Sequence, residues 1–507
     1  MNLKKFLLSV IVLALTLPGF TENKIRLNEN WKFLKSDLGG IWEAVRPTKA
    51  GNPESVPLWE NVTLPHCYNA YDAVDPNVNY YQGPAWYTTQ IEVNNPYKNG
   101  RTLLQFEGSG QKTDVYVYTT KAGSHIGGYD EWTVDITDAV NSFLKDKKGI
   151  YCIGNVYCPF DITDAVNSFL KDKKTATEFN GKIPLSIRCD NSRDLEMMPS
   201  DLSDFNLYGG IYRYLNLVYF PALSIEKLHI NPTVDAKGTV GNYEVSLKLS
   251  NKSAASKATL TLEIIDNSGK TINVSNQEIT ISDGEKSVFT AKIKKPKLWS
   301  TVQPNLYTCK ATITTESGTQ TVSEKFGFRH FEFVEKGPFM LNGSRLLLRG
   351  THRHEDHAGI GAAMTVDLMR REMLLMKEMG VNFIRLGHYQ QSGIILDLCD
   401  SLGILVWEEI PWCRGGLGGE VYKKQGRQML TNMIDQHKNH PSVILWGLGN
   451  ENDWPGDFAE FDKQKIRDYM TELHQLAHQL DPTRLTSIRR CVFCKNIPDV
   501  YSPSIWA

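Results

Sequence analysis

The sequence has no surplus of either charge: 56 lysines and arginines stand against 57 aspartates and glutamates. A nucleic-acid partner or an anionic membrane surface calls for a strong basic excess, so neither is expected, and an uncharged substrate suits the balance better. There is no cysteine framework either. Nine cysteines, an odd number scattered over 507 residues, do not hold a chain of this length together by disulfides. Cys491 and Cys494 form a lone C-x-x-C pair with no second pair and no histidines nearby in sequence, which leaves it incidental as a redox or zinc motif. Membrane-spanning apolar runs are also missing. The longest, Phe6–Leu17, follows Lys4 and Lys5 and precedes Pro18 and Gly19; it falls short of the ~20 apolar residues that a spanning helix needs. Its layout is that of a secretory signal over residues 1–21, with an uncleaved anchor as the alternative because the cleavage site is not a clean small-x-small pattern. The mature chain is expected to be exported, periplasmic or secreted, with no membrane span.

What is present divides the chain. A length of 507 residues suggests about three domains. From 22 to 220, short alternating segments such as Thr88–Val93 and Thr113–Tyr118, punctuated by Gly, Asn and Pro, read as a jelly-roll-like β-sandwich. From 221 to 331 a second all-β stretch, with period-two runs at Tyr243–Leu249 and Leu260–Ile264, has the size of an immunoglobulin-like sandwich. From 332 to 507 strands alternate with helices, which builds a (β/α) barrel. Leu346–Arg349 reads as its first strand. Thr365 caps a helix carrying Leu368, Met369, Met373, Met376 and Met379 at helical spacing until Gly380 stops it, and Met373, Met376 and Met379 are read as core packing. One oddity is a stretch, Asp135–Lys148, that recurs unchanged at Asp161–Lys174, 26 residues later. A sandwich has one slot for such a strand, so one copy or the stretch between them is expected outside the sheet as a poorly packed loop.

The apolar run Val443–Leu448 ends in Gly449, Asn450 and Glu451. A polar residue just past the last apolar one of a barrel strand emerges at the mouth, where such enzymes do chemistry, so Glu451 is the first candidate for a catalytic acid. The plain alternative is a glutamate that caps the following turn. His352, His354 and His357 form a histidine cluster on a loop, where alternate residues can point together, but no H-E-x-x-H spacing accompanies them and zinc is not expected.

Several further motifs stand in order along the chain: Leu64-Pro65-His66, Gly83–Tyr87, His125–Tyr129, Asp204–Arg213, Gly327-Phe328-Arg329, Leu341-Asn342-Gly343, Arg353–His357, Ile384–Tyr389 and Gly449-Asn450-Glu451. With them the chain resembles family 2 glycoside hydrolases, the group of β-galactosidases, β-glucuronidases and β-mannosidases, from about Leu27 to its end. The resemblance implies hydrolysis of a terminal β-glycosidic bond with retention, on a β-galactoside or a related β-glycoside, β-galactosidase being the first label. Retention needs one carboxyl group that protonates the leaving oxygen and a second, about 5 Å away, that attacks the anomeric carbon. By resemblance Glu451 is the acid/base, Asn450 holds the sugar 2-hydroxyl, His388 contacts the sugar, and Asp204 reaches over the mouth from the first sandwich; His354 and Asp356 line the same mouth. Read alone, His388 is a satisfied structural histidine and Asp204 a turn aspartate. A proton donor near neutral pH needs a raised pKa, expected here from apolar walls and the nucleophile's charge. No cofactor is expected, and no magnesium: where some members have a metal-binding glutamate this sequence offers Cys413, a poor partner for a hard cation.

The family's nucleophilic glutamate ends the seventh strand, whereas this sequence reaches Ala507 on what reads as the sixth, with Trp506 near the place of a tyrosine in some members. The expectation is therefore a C-terminally truncated member with an open barrel and no turnover of its own. The alternative is a non-catalytic carbohydrate- or partner-binding protein with a vestigial barrel.

Overall fold

The computed structural model describes residues 24–45, 58–146, 179, 181–200, 202–281, 284–316 and 318–505. The signal-like segment, the second copy of the repeat at 161–174 and Trp506 lie outside them.

Alternation along the first stretch produces two packed antiparallel sheets. Four strands run in the order Lys24–Arg26, Leu215–Phe220, Arg101–Phe106, Trp132–Asp135; six run in the order Glu60–Val62, Trp31–Leu34, Pro84–Ile91, Ile183–Asp190, Lys112–Val117, Thr120–Ile126. Inward residues of both sheets, among them Trp31, Tyr87, Phe106, Val115, Leu185 and Leu217, form one core. The first copy of the repeat is not a strand throughout. After Asp135, whose Oδ1 accepts from Thr137 N at 3.0 Å, the chain turns into the helix Thr137–Asp146. Ala139, Val140, Phe143 and Leu144 recur at helical spacing and bury one face against the sandwich core, so the period of the apolar residues decides the element.

Among the described residues seven strands make the second sandwich. Leu223–Val234, Val240–Asn251 and Glu285–Lys294 face Thr271–Thr280, Lys257–Ile265, Tyr307–Thr315 and Gly318–Phe326, around Val245, Leu260, Leu262, Ile313 and Phe326.

After a small hairpin sheet over Phe331–Arg345 come six parallel strands, neighbours in chain order: Gly350–Arg353, Phe383–Leu386, Leu405–Glu409, Val443–Asn450, Leu485–Arg489 and Val500–Ser502. The helices Val366–Glu378, Gly393–Leu402, Glu420–His437 and Lys463–Leu480 cover the outside. Among the described residues the first and sixth strands pair on one side only, so the sheet is an incomplete (β/α)8 barrel. All eight residues of Val443–Asn450 are buried, as a strand covered on both faces requires. Gly447 sits where the fourth strand crowds the third: a Cβ there would lie 2.2 Å from Glu409 Cβ.

Two local readings differ from the structure. Leu346–Arg349 is not a strand; Leu346 and Leu348 plug the underside of the barrel beside Phe339, Leu341 and Leu445, and strand pairing begins at Gly350. Thr365 does cap Val366–Glu378 by accepting from Leu368 N, and Gly380 (φ +86°) follows its last turn. Met373 is buried in the barrel core, but Met379 at the C-cap is 79% exposed and packs against nothing in it.

The first sandwich is locked to the barrel rim by Arg213. Its Nε donates to Glu355 Oε1 at 2.8 Å, Nη1 to the Tyr129 and Glu107 carbonyls, and Nη2 to the Gln390 carbonyl at 2.9 Å. Glu355 also accepts from Ser392 N at 2.7 Å. This seam carries the 202–210 loop over the C-terminal ends of the barrel strands.

Candidate active site

Glu451 follows the fourth strand directly and has φ +53°, the left-handed region that costs a residue with a side chain steric energy. The kink is held by its own backbone: Glu451 N donates to Arg489 O at 3.0 Å and Trp454 N to Glu451 O at 3.1 Å. The side chain is 2% exposed and is gripped by two arginines. Arg414 Nε donates to Oε2 at 2.7 Å and Arg489 Nη1 donates to Oε1. Arg490 stands 4.0 Å off. Burial pushes the carboxyl up, but the donors and charges of Arg414 and Arg489 outweigh it and hold Glu451 below its ordinary 4.5. A raised value was expected from apolar walls; the walls are guanidinium groups instead. In this geometry Glu451 is an ionised acceptor.

Behind it lies a continuous polar network. Arg385 Nη2 donates to Asn450 Oδ1 at 2.9 Å and to both Glu409 oxygens at 2.8 Å. His388 Nδ1 is 2.6 Å from Glu409 Oε1. Arg385 Nη2, which can only donate, stands 3.1 Å from the same Nδ1, so it is the shorter contact to the carboxylate that puts a proton on Nδ1; Nε2 lies 3.8 Å from Asp204 Oδ1. Burial raises Glu409, yet Arg385 and His388 more than compensate and bring it to about 2. Asn450 is oriented from both ends, because its Nδ2 donates to Cys413 Sγ at 3.2 Å. Asp204, from the first sandwich, reaches the same spot: Oδ2 takes Arg414 Nη2 at 2.8 Å and Oδ1 takes the Cys413 thiol at 3.6 Å.

Glu451, Asn450, His388 and Asp204 thus share one network. His354 adjoins it, its ring centroid 5.3 Å from that of His388 and 5.9 Å from Phe205. Asp356 does not join: it accepts from Tyr208 OH at 3.2 Å at the seam between sandwich and barrel. Burial and the charge of Arg385 push His352 down to about 3, and burial and the charge of His388 lower His354. One ring nitrogen from each of His352, His354 and His388 lies within 4.8 Å of the others. Arg385, Glu409, Arg414, Arg489 and Trp454 were not singled out from sequence. The first two were detectable as charges inside otherwise apolar barrel strands; Arg414 and Arg489 carry no such local signal.

Family models reach the same chain independently. The model of the glycosyl hydrolases family 2 TIM barrel domain matches residues 333–505, and that of glycosyl hydrolases family 2 matches residues 223–329. The chain belongs to glycoside hydrolase family 2. A Bacteroides fragilis β-glucuronidase is 30% identical to this family 2 chain over 84% of it and 57% of the relative. A Formosa agariphila protein, provisionally named a β-glucuronidase, is 38% identical over 99% of the chain and 56% of its own length. A Thermoanaerobacterium thermosulfurigenes β-galactosidase is 29% identical over 94% of the chain. Among solved structures, Parabacteroides merdae β-glucuronidase superposes with TM-score 0.88 and 60% identity over 96% of this chain and 59% of that one. Bacteroides uniformis β-glucuronidase 3 gives 0.85 and 58% over 96% and 58%. The chain spans somewhat over half the length of these relatives. No helix among the described residues is long and apolar enough to cross a membrane.

Proposed function

We propose that this chain carries the acid/base side of a retaining β-glucuronidase site. The observation that carries the reading is the junction of Glu451 and Asn450, at the end of the fourth barrel strand, with Asp204 of the first sandwich through Arg385, Glu409 and His388. In it, Glu451 serves the leaving-group oxygen, Asn450 the 2-hydroxyl, and His388 Nε2 and Asp204 further sugar hydroxyls. Glu409 is fully engaged by Arg385 and His388, so its role is positioning rather than attack.

Glucuronide replaces galactoside as the preferred substrate. The support is the β-glucuronidase names of the structures near 60% identity and the arginines at the mouth. Arg414, Arg489 and Arg490 face Glu451, and planar guanidinium groups suit a sugar carboxylate. The attacking carboxylate is read as belonging to the part of the relatives' length that this chain does not match. Within this chain the guanidinium grip on Glu451 favours binding over cleavage. The N-terminal pattern of Lys4, Lys5 and Phe6–Leu17 is read as an export signal, which N-terminal sequencing of the mature protein checks.

Calorimetric titration with glucuronate and with galactose tests the sugar. Glucuronate is expected to bind and galactose to bind far more weakly, with Arg414→Ala reducing only the former; equal affinity for both sinks the glucuronide reading. Nitrophenyl β-D-glucuronide is expected to survive incubation with this chain alone, and turnover abolished by Glu451→Gln would place the whole machinery within it.

A further inference from the structure

A second set of donors converges at the opposite end of the barrel. His474 and His478 are four residues apart on Lys463–Leu480 and project from one face, their ring centroids 4.7 Å apart. Asp499, just before the sixth strand, faces them. One ligand atom from each of the three lies within 4.8 Å of the other two.

Thr486, on the fifth strand, orders the group. Its hydroxyl donates to Asp499 Oδ2 at 2.9 Å, so it accepts from His474 Nδ1 at 2.8 Å. The His474 proton is thereby fixed on Nδ1 and the Nε2 lone pair is left for a ligand, the orientation that a neighbouring hydrogen bond imposes on metal-binding histidines. His478 Nε2 lies 2.9 Å from Asp499 Oδ2. In a tetrahedral zinc site, ligand atoms about 2.0–2.1 Å from the ion stand about 3.3–3.4 Å apart. The existing contact therefore needs to open by only a few tenths of an ångström. The side chains of His478 and Asp499 are 32% and 28% exposed, which gives an ion a path from solvent.

We propose that His474, His478 and Asp499 bind one divalent transition-metal ion of the zinc class. Water completes the tetrahedron, and the ion pins the helix Lys463–Leu480 to the loop that enters the sixth strand. Two imidazoles and one carboxylate select zinc-like ions over magnesium or calcium, which prefer all-oxygen shells. The ion takes the place of the proton that His478 now directs at Asp499; that proton moves to His478 Nδ1, or to water when the ring is doubly protonated. The site lies before the N-terminal end of the sixth strand, whereas Glu451 lies past the C-terminal end of the fourth, so it is separate from the sugar network and does not depend on the glucuronidase reading.

The full chain, stripped of metal, is titrated with zinc by calorimetry and with cobalt by visible absorption. The expected result is one ion bound at this site, an intense tetrahedral cobalt spectrum, and a thermal midpoint that climbs with zinc concentration. His478→Gln keeps a donor for Asp499 but removes the imidazole ligand, and is expected to weaken binding by more than about tenfold; Thr486→Val, which unlocks His474 and takes the hydroxyl donor from Asp499, weakens it by about tenfold. His352→Gln, in the cluster at the mouth, leaves this isotherm unchanged. Absence of binding, a weak octahedral cobalt spectrum, or an isotherm indifferent to His478→Gln each overturns the proposal.

Discussion

The joint between the second sandwich and the barrel is expected to weaken as the solution turns basic. His440, in the loop before the fourth strand, donates from Nδ1 to Asp400 Oδ2 at 2.7 Å, and its side chain is 16% exposed. Burial disfavours the charged ring, but Asp400, with Asp397 on the same helix and Glu324 on the sandwich strand Gly318–Phe326, outweighs it and raises His440 from 6.5 to about 9. The folded chain thus holds this proton more tightly than the unfolded chain. The resulting stability is complete below pH 6.5 and is lost as the pH rises through about 9. At about 1.4 kcal/mol per tenfold change in proton affinity the loss amounts to about 3 kcal/mol at most. Glu324 acts in the same sense at lower pH: burial raises it, the His440 charge lowers it and Asp397 raises it again, to about 7, so its share fades between 4.5 and 7. Urea unfolding followed from about pH 6 to about pH 10 measures the slope. Asp400→Asn removes the principal partner and is expected to flatten the upper part of the curve. A wild-type midpoint that stays level or rises across this window, or an identical slope in Asp400→Asn, refutes the reasoning.

Three other outcomes are expected. Arg213→Met takes from buried Glu355 its hydrogen-bonded partner, leaving Arg353 3.8 Å away, and strands the carbonyls of Tyr129 and Gln390, at a cost of about 3 kcal/mol in denaturant unfolding; a cost below about 1 kcal/mol, the level of an exposed pair, contradicts the seam described above. Gly447→Ala drives a methyl group to 2.2 Å from Glu409 Cβ and 3.0 Å from its Cα, so it is expected to destabilise by about 1–3 kcal/mol and to weaken sugar binding by displacing Glu409 from Arg385. Glu409, held at about 2, contributes stability above its unfolded 4.5 that disappears as the pH falls toward 2; acid unfolding of Arg385→Met is expected to lose that dependence.

Where the apolar pattern had a definite period, the sequence was readable. The plan of two sandwiches and a barrel and the Thr365 cap follow from alternation or helical spacing, and the barrel strand at Val443 from an unbroken apolar run. Leu346–Arg349 misled because an apolar run without a period does not distinguish a strand from a plug; Met379 kept the helical spacing but falls on the C-cap, where the chain leaves the buried face. The repeat at Asp135 shows the same point, since one run of residues supports both a strand and a helix until its spacing is matched to the face it buries. In the site, Glu451 and Asn450 were legible as polar residues ending an apolar strand. The inverted electrostatics were not. Arg414 and Arg489 come from two other segments and meet Glu451 only through the fold, so no local window announces that they lower its pKa.

Because Asp204 comes from one folding unit and Glu451 from another, the network they share through Arg414 depends on Arg213 keeping the two in register. A barrel cut free of its sandwich would retain Glu451 yet lose the Asp204 carboxylate that holds Arg414 from the other side. Exchange of parts between family members therefore has to carry both units, or at least both halves of that clasp, for specificity to travel with them.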